Sequence, residues 1–295
     1  MAKVEISDAL KSDLPPNRWG KLLGATPVVL TVVATLLAGL STGEMTRAQY
    51  DRGLAAQQQS KAGDQWGYFQ AKKLRGTMQR STLDVLRTTL APRPLTTEAI
   101  GTSSAEARRA LLTGEPPTPP AVAALDENLH TALAALEAGQ NEEQIAAPLA
   151  KVKDAVLTDA LRAARDRANA FDAALKPISQ AIDAIEQAQA DVGSDVARSL
   201  TAARLRFAAN RYDTEAKLNQ TIAGLLELQV RKTNLSAERH HARSQRFFYG
   251  MLAAQLGVIL STLAMAAQRK NFLWSFAAAA GVTAVAFAGY VYFYS

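Results

Sequence analysis

The chain has no cysteine and only three histidines among its 295 residues. The absence of cysteine excludes disulfide bonds, thiolate metal sites and cysteine nucleophiles, although it leaves the cellular compartment open. His130 stands alone, and neighbouring residues on a helix point about 100° apart, so His240 and His241 do not bind one metal from one face. The sequence therefore predicts no metal site.

Familiar catalytic signatures are missing as well. The sequence contains no His-Glu-x-x-His, no glycine-rich phosphate loop ending in Lys-Ser or Lys-Thr, and no Gly-x-Ser-x-Gly. It predicts no catalytic residue, no bound cofactor and no enzyme activity. The net charge of +6 is modest, and the basic residues are scattered or flank apolar runs. Lipid headgroups explain them better than nucleic acid, which we do not expect as a partner.

Charge is also absent from three long apolar runs. The run from Leu22 to Leu40 covers roughly 28 Å as a helix, close to the hydrocarbon thickness of a bilayer. We predict transmembrane helices at residues 22–42, 247–267 and 272–294, and hence an all-α, multi-pass membrane protein with a carboxyl-terminal helical hairpin. A buried helix of a soluble protein is the alternative for any one run. Since no run contains an ionisable residue, an ion pathway is not expected.

The first run has a second interpretation as a cleaved signal peptide, with Gly39 and Ser41 before the cut. The preceding tail is long and acidic at three positions, and the apolar stretch exceeds the usual ~7 to 15 residues of such peptides. A retained helix is favoured.

Three spans would place the tail at residues 1–21 and the basic loop at residues 268–271 on one side of the membrane. These short segments weigh most in the positive-inside rule, which predicts a cytoplasmic tail and an exported central domain in a bacterial inner membrane. The reverse orientation stays open because basic residues also flank the spans on the other side: Arg47, Arg52, Arg239, Arg243 and Arg246.

Between the spans the sequence predicts helices interrupted by one linker. The capping-box spacing of Ser41 and Glu44 predicts a new helix over residues 43–90, ended by Pro92. Residues 91–120 form a Pro-rich linker with a short helix near residues 104–112. Residues 115–120 are expected to be extended polyproline, acting as a stiff spacer or, alternatively, as a ligand for an aromatic groove.

Residues 121–246 are rich in strong helix formers and predict a helical domain. A turn is expected at residues 139–141, a kink or break at Pro177, and a fresh helix after Gly193. This last helix carries a roughly seven-residue repeat that Arg204 and Arg211 interrupt. The repeat predicts coiled-coil-like packing, and its partner is either the helix at residues 43–90 of the same chain or a second copy. The repeat comprises Leu200, Phe207, Thr214, Leu218, Leu225 and Leu228.

One segment after the first span concentrates aromatic and polar residues. On a helix, Trp66, Phe69 and Lys73 share one face, beside a polar stripe of Asp64, Tyr68 and Lys72. The segment is either a packing element in which Asp64 holds Tyr68, or a face that binds a partner protein or lipid. The candidate interaction motif comprises Asp64, Gln65, Trp66, Tyr68, Phe69, Gln70 and Lys72.

This Asp-Gln-Trp segment resembles the signature of a bacterial membrane-protein family catalogued as domain of unknown function 4337. The carboxyl end is similar too, in residues 239–243, Gln255, residues 268–270 and residues 272–274. The resemblance covers about the first ninety and the last sixty residues, and Gly67 departs from the alanine more usual there. It implies membrane location and the three-span plan, but supplies no activity.

These observations predict a non-enzymatic, membrane-anchored helical scaffold or interaction protein. Its expected partners are the lipid bilayer and either a second copy or another membrane protein. The alternative is an accessory or regulatory subunit of a transport or signalling complex. An enzyme would need Asp64, Tyr68 and Lys72 to act together, and no other feature of the sequence indicates a substrate pocket.

Overall fold

A computed structural model describes residues 18–97, 100, 104–121, 124–188, 194–266 and 272–294. The described residues form seven helices and no strand, as predicted for the fold class. The predictions for the amino-terminal tail before Arg18, for Gly193 and for the loop at residues 268–271 concern residues outside these ranges. The helices are α1 Arg18–Leu90, α2 Ala105–Thr113, α3 Glu127–Glu137, α4 Glu142–Leu149, α5 Asp154–Ala188, α6 Ser194–Ala266 and α7 Phe272–Tyr294.

Helix α1 is continuous over 73 residues, so the predicted new helix start at residue 43 is wrong. The Ser41 hydroxyl does not cap a helix. It donates to the Ser244 carbonyl at 3.0 Å, while the Ser244 hydroxyl donates to the Ser41 carbonyl at 2.8 Å. Since no proline lies between Ser41 and Leu90, the helix continues to the predicted stop at Pro92.

The chain divides into two compact units, and unit 1 contains residues 1–54 and 233–295. In it, Leu30 of α1 packs where glycines leave room on two other helices. A Cβ added at Gly257 of α6 would lie 2.9 Å from a Leu30 methyl carbon, and one at Gly281 of α7 would lie 2.7 Å from the other. The three helices therefore pack closely only because both positions are glycine.

Unit 1 also exposes an unusual number of large apolar side chains. Two helical stretches in the described residues, Gly24–Leu90 and Asp195–Ala266, are long and apolar enough to cross a membrane, and α7 has a shorter apolar stretch at Ser275–Tyr290. The exposed side chains on these helices include Val28, Val32, Leu36, Leu40, Leu252, Leu256, Ile259, Leu263, Phe276, Val282 and Val285. They face outward from all three helices of the unit.

Unit 2 contains residues 55–232 and has its own apolar core. The predicted repeat on α6 is buried at Leu200, Phe207 and Leu218, which join the same cluster as Phe171 of α5 and Leu111 of α2. The partners of these three residues are thus α5 and α2 of the same chain, rather than the helix at residues 43–90 that the sequence offered. The two interrupting arginines are paired with carboxylates, Arg204 with Glu186 and Arg211 with Glu215.

The sequence predicted a kink or a break at Pro177. Helix α5 is continuous through that residue, so the break is wrong. Proline removes one backbone donor, but the flanking apolar residues of the same face are buried and hold the helix on both sides of it. These residues are Phe171, Leu175, Ile178, Ile182 and Ile185.

Turn and capping residues mark the ends of the short helices at positions that the sequence predicts. Gly139 has a positive φ of 64° and lies between α3 and α4, and Asn141 caps α4 with a reciprocal hydrogen bond to Gln144. The short helix predicted near residues 104–112 is α2. The linker after it is tied down, because Arg167 donates to the Pro120 carbonyl at 2.7 Å and Asn210 to the Gly114 carbonyl at 2.9 Å.

Candidate functional site

The Asp-Gln-Trp segment lies on α1 in unit 2, where one side of the helix is buried against α6. Buried positions are separated by multiples of seven residues, at Ala55, Ala62, Gly76 and Leu83. We call this side the inner face of α1. At Gly76 an added Cβ would lie 3.2 Å from a carboxylate oxygen of Asp213 on α6, so the two helices approach closely there.

Two residues of the segment hydrogen-bond to polar residues of α6. The Gln65 amide donates to Asn219 Oδ1 at 2.6 Å, and the Trp66 indole N–H donates to Glu227 Oε2 at 3.1 Å. The Phe69 ring meets the Trp66 ring edge-on, with centroids 5.6 Å apart. The indole thus has a fixed partner inside the chain, as buried indoles usually do.

The Glu227 carboxylate extends this contact into a network. Arg231 donates to Glu227 Oε1 at 2.8 Å and also to Glu142 of α4. Burial by itself lowers the pKa of Arg231, but the hydrogen bonds to Glu227 and Glu142 outweigh it and raise the pKa above its ordinary value. The charged form of Arg231 is therefore held firmly between two carboxylates.

The centre of the site is an ion cluster around Glu215 of α6. This carboxylate is only 5% exposed, and Lys72 Nζ of α1 lies 2.5 Å from its Oε2. On its other side Arg211 Nε lies 3.2 Å from Oε1, and the Arg211 guanidinium sits 4.5 Å from the centre of the Tyr212 ring. Two cations thus share one buried carboxylate, an arrangement that compensates its loss of hydration.

Next to this cluster is a polar cleft of about 210 Å³. Helix α5 contributes Arg165, Asn169 and Asp172, whose spacing of four and three residues places them on one side of that helix. Helix α1 contributes Gln65, Tyr68 and Lys72 from the motif, and α6 contributes Glu215, Leu218, Asn219 and Ile222. The cleft offers hydrogen-bond donors and acceptors of both charges.

Asp172 lines this cleft with a side chain that stays partly open to solvent, and the pKa of its carboxyl is raised. Burial raises the pKa of its carboxyl, and the negative charge of Glu215 raises it further, while Lys72 and Arg211 act in the opposite direction. A carboxyl with a raised pKa binds a proton more tightly in the folded state than in the unfolded state. Its contribution to stability is therefore present at low pH and is lost as the pH rises through the raised pKa.

We expect Asp172→Asn to raise the melting temperature at neutral pH relative to the wild type. The difference between the two proteins should grow as the pH rises from about 4 and level off above the raised pKa of Asp172. Thermal unfolding between pH 4 and pH 8 measures it, with Asp159→Asn on the exposed side of α5 as the control. A difference that shrinks with rising pH would show that Asp172 is stabilised as an anion.

The structure distributes the predicted motif between two sides of α1. Gln65, Trp66 and Lys72 contact α6, whereas Asp64, Tyr68 and Gln70 are exposed. The expected hydrogen bond between Asp64 and Tyr68 does not form among the described residues, and Tyr68 instead lines the cleft. Lys73, predicted to lie beside Trp66, pairs with Asp213 at 3.7 Å.

Sequence reasoning missed the residues of α5 and α6 that complete the site. Glu215, Asn219 and Glu227 lie on the helix whose apolar repeat predicted packing, but outside that repeat. A signal was present, because Arg211, Glu215 and Asn219 recur every four residues and so form one polar side of α6. Within the described ranges no group of three or more His, Cys, Asp or Glu residues is arranged to hold a metal ion.

A comparison with known protein families finds a match over the part of the chain that contains the Asp-Gln-Trp segment. Residues 19–111 match the family model named Domain of unknown function (DUF4337). The DUF4337 match covers about a third of the chain, including the whole motif and all but the first residue of α1, and confirms the resemblance there. It stops before α3, so the similarity at the carboxyl end stays a prediction. No curated protein and no solved structure matches the chain.

Proposed function

We propose that the protein is a non-enzymatic, membrane-anchored helical scaffold that holds an interaction surface beside the membrane. The observation that supports it best is the outward apolar surface of unit 1. Large side chains such as Val32, Leu36, Leu256 and Ile259 are exposed on helices that otherwise pack well. Soluble monomers rarely expose a continuous apolar surface of this kind, and a bilayer would cover it.

The proposed spans are residues 22–42 of α1, residues 247–267, which α6 enters, and residues 272–294 of α7. Leu30, Gly257 and Gly281 supply the close helix packing that membrane helices use, in which small residues let neighbouring backbones approach. The Ser41–Ser244 pair adds two hydrogen bonds between α1 and α6 at the edge of this region. Such polar contacts between helices suit an environment that offers no water.

The scaffold role is supported by how unit 2 uses its polar groups. Lys72, Trp66 and Gln65 of the motif are each bonded to α6, so their chemistry serves to fix the two long helices together. Helices fixed in this way present their remaining surfaces in a constant arrangement, as an interaction protein needs. We propose that this unit is exported and that the amino-terminal tail is cytoplasmic.

Membrane extraction tests the anchoring. The protein should stay in the membrane pellet after alkaline carbonate washing, and Leu36→Arg should reduce its insertion, since a central arginine costs about 2.5–3.5 kcal/mol on insertion scales. Gln59→Arg, on the exposed surface of unit 2, is the matched control and should have no effect. Release of the wild-type protein into the supernatant would contradict the proposal.

Cysteine labelling tests the orientation. If unit 2 is exported, Lys217→Cys, at an exposed position of that unit, should react with a membrane-impermeant maleimide in intact cells.

A further inference from the structure

Within unit 2, α1 has a second side that no other part of the described chain covers. We call it the outer face of α1 and define it by exposed residues that recur every three or four positions: Ala56, Ser60, Gly63, Gly67, Ala71, Leu74, Met78, Ser81 and Val85. Its large side chains are exposed, Leu74 by 61%, Met78 by 58% and Val85 by 61%. Over these 30 residues, about 45 Å of helix, the outer face has no charged side chain.

The amino-terminal half of the outer face is built from small residues, with Ser60, Gly63 and Gly67 in succession. An added Cβ at Gly63 or Gly67 would meet no atom within 4 Å, so nothing in the chain itself requires glycine there. At Gly76 on the inner face, by contrast, α6 fills that space. Glycine weakens a helix relative to alanine, so two of them on an open face indicate close approach by another backbone.

We propose that the outer face of α1 binds the outer face of a second copy of this chain, with the two helices parallel. The inference rests on the proposed function, because two copies anchored in one membrane must direct their α1 helices the same way. In such a pair each residue meets its own counterpart, so any charge on the face would meet a like charge.

The distribution of charge on α1 distinguishes an identical partner from a different one. Where α1 meets a different helix, the inner face uses opposite charges, as in Lys72 with Glu215 and Arg80 with Asp213. The outer face omits charge altogether and keeps a seven-residue repeat, with Ser60, Gly67 and Leu74 in one row and Met78 and Val85 in the next. A charge-free face is the composition that self-pairing requires.

Single cysteines test the pairing directly, because the natural chain has none. Ser60→Cys and Met78→Cys place the thiol on the outer face. Lys61→Cys, one residue after Ser60, and Thr77→Cys, one residue before Met78, place it at exposed positions about 100° around the helix. Each full-length variant is oxidised in native membranes and analysed on a non-reducing gel. We expect disulfide-linked homodimers for the two outer-face variants, at least five times the yield of their neighbours.

Each other outcome overturns the proposal. Dimers only in a mixture of Ser60→Cys with Met78→Cys would show an antiparallel pair, and crosslinks only to a different protein would show a heterologous partner. Equal or absent crosslinking at all four positions would show that the outer face is unpaired. Carbonate extraction of the same membranes separates these results from failure of anchoring, and helical circular dichroism of each purified variant confirms folding.

Discussion

Replacing Glu215 with alanine is expected to lower the free energy of unfolding of unit 2 by about 3–5 kcal/mol. The carboxylate is buried, and Lys72 and Arg211 both depend on it, with closest nitrogen distances of 2.5 Å and 3.2 Å. The substitution leaves two cations in a site with little water, where Asp172 is a remaining carboxylate that interacts with both. Removing one member of a buried ion cluster costs more than the cluster contributes as a whole, because the remaining charges stay buried.

Urea unfolding of the purified protein in mild detergent, followed by circular dichroism, measures this loss. The matched control is Asp84→Ala on α1, where a nitrogen of Arg87 lies 3.9 Å from the Asp84 carboxylate and both groups are exposed. Its effect should stay within about 0.5 kcal/mol. If Glu215→Ala and Asp84→Ala destabilise equally, the cluster around Glu215 is solvated and does not fix α1 to α6.

Replacing Phe171 with alanine should destabilise unit 2 by about 3–5 kcal/mol. The Phe171 side chain is 1% exposed and lies in the apolar cluster that joins α5 to Phe207 of α6 and Leu111 of α2. Alanine removes most of this side chain and leaves a cavity that the surrounding helices fill only in part. The same unfolding experiment measures the effect.

Phe171→Leu provides the graded control, since leucine keeps most of the apolar volume. We expect a loss of about 1 kcal/mol for it. Equal losses for the two substitutions would show that the site requires an aromatic ring rather than filled volume, and no loss for either would place Phe171 outside the core.

The sequence predicted the helical class and much of the local structure. Pro92 ended α1, Gly139 and Asn141 formed the turn before α4, and the repeat containing Leu200, Phe207 and Leu218 was buried. Local rules apply here because a missing backbone donor, a positive φ and a capping side chain act within a few residues. The same rules predicted a new helix start after Ser41 and allowed a break at Pro177. Neither occurs, because contacts between distant segments keep both helices intact.

The candidate site could be predicted only in part. The motif was found on α1 from its density of aromatic and polar residues, and the family match covers it. Its partners Glu215, Asn219 and Glu227 lie more than 140 residues away in the chain, and no local pattern pairs them with Lys72, Gln65 or Trp66. Whether Trp66 packs inside the chain was likewise open until the position of α6 was known.

By itself the sequence determined where this chain is helical, where it is apolar enough for a bilayer and where it lacks reactive chemistry. These properties depend on residue type and on short-range periodicity. Only the tertiary structure decided that one side of α1 is joined to α6 through a buried ion cluster while the opposite side stays uncovered. Two helices of this length have several amphipathic sides each, and the choice among them is made by long-range packing, which places complementary charges and small residues opposite one another.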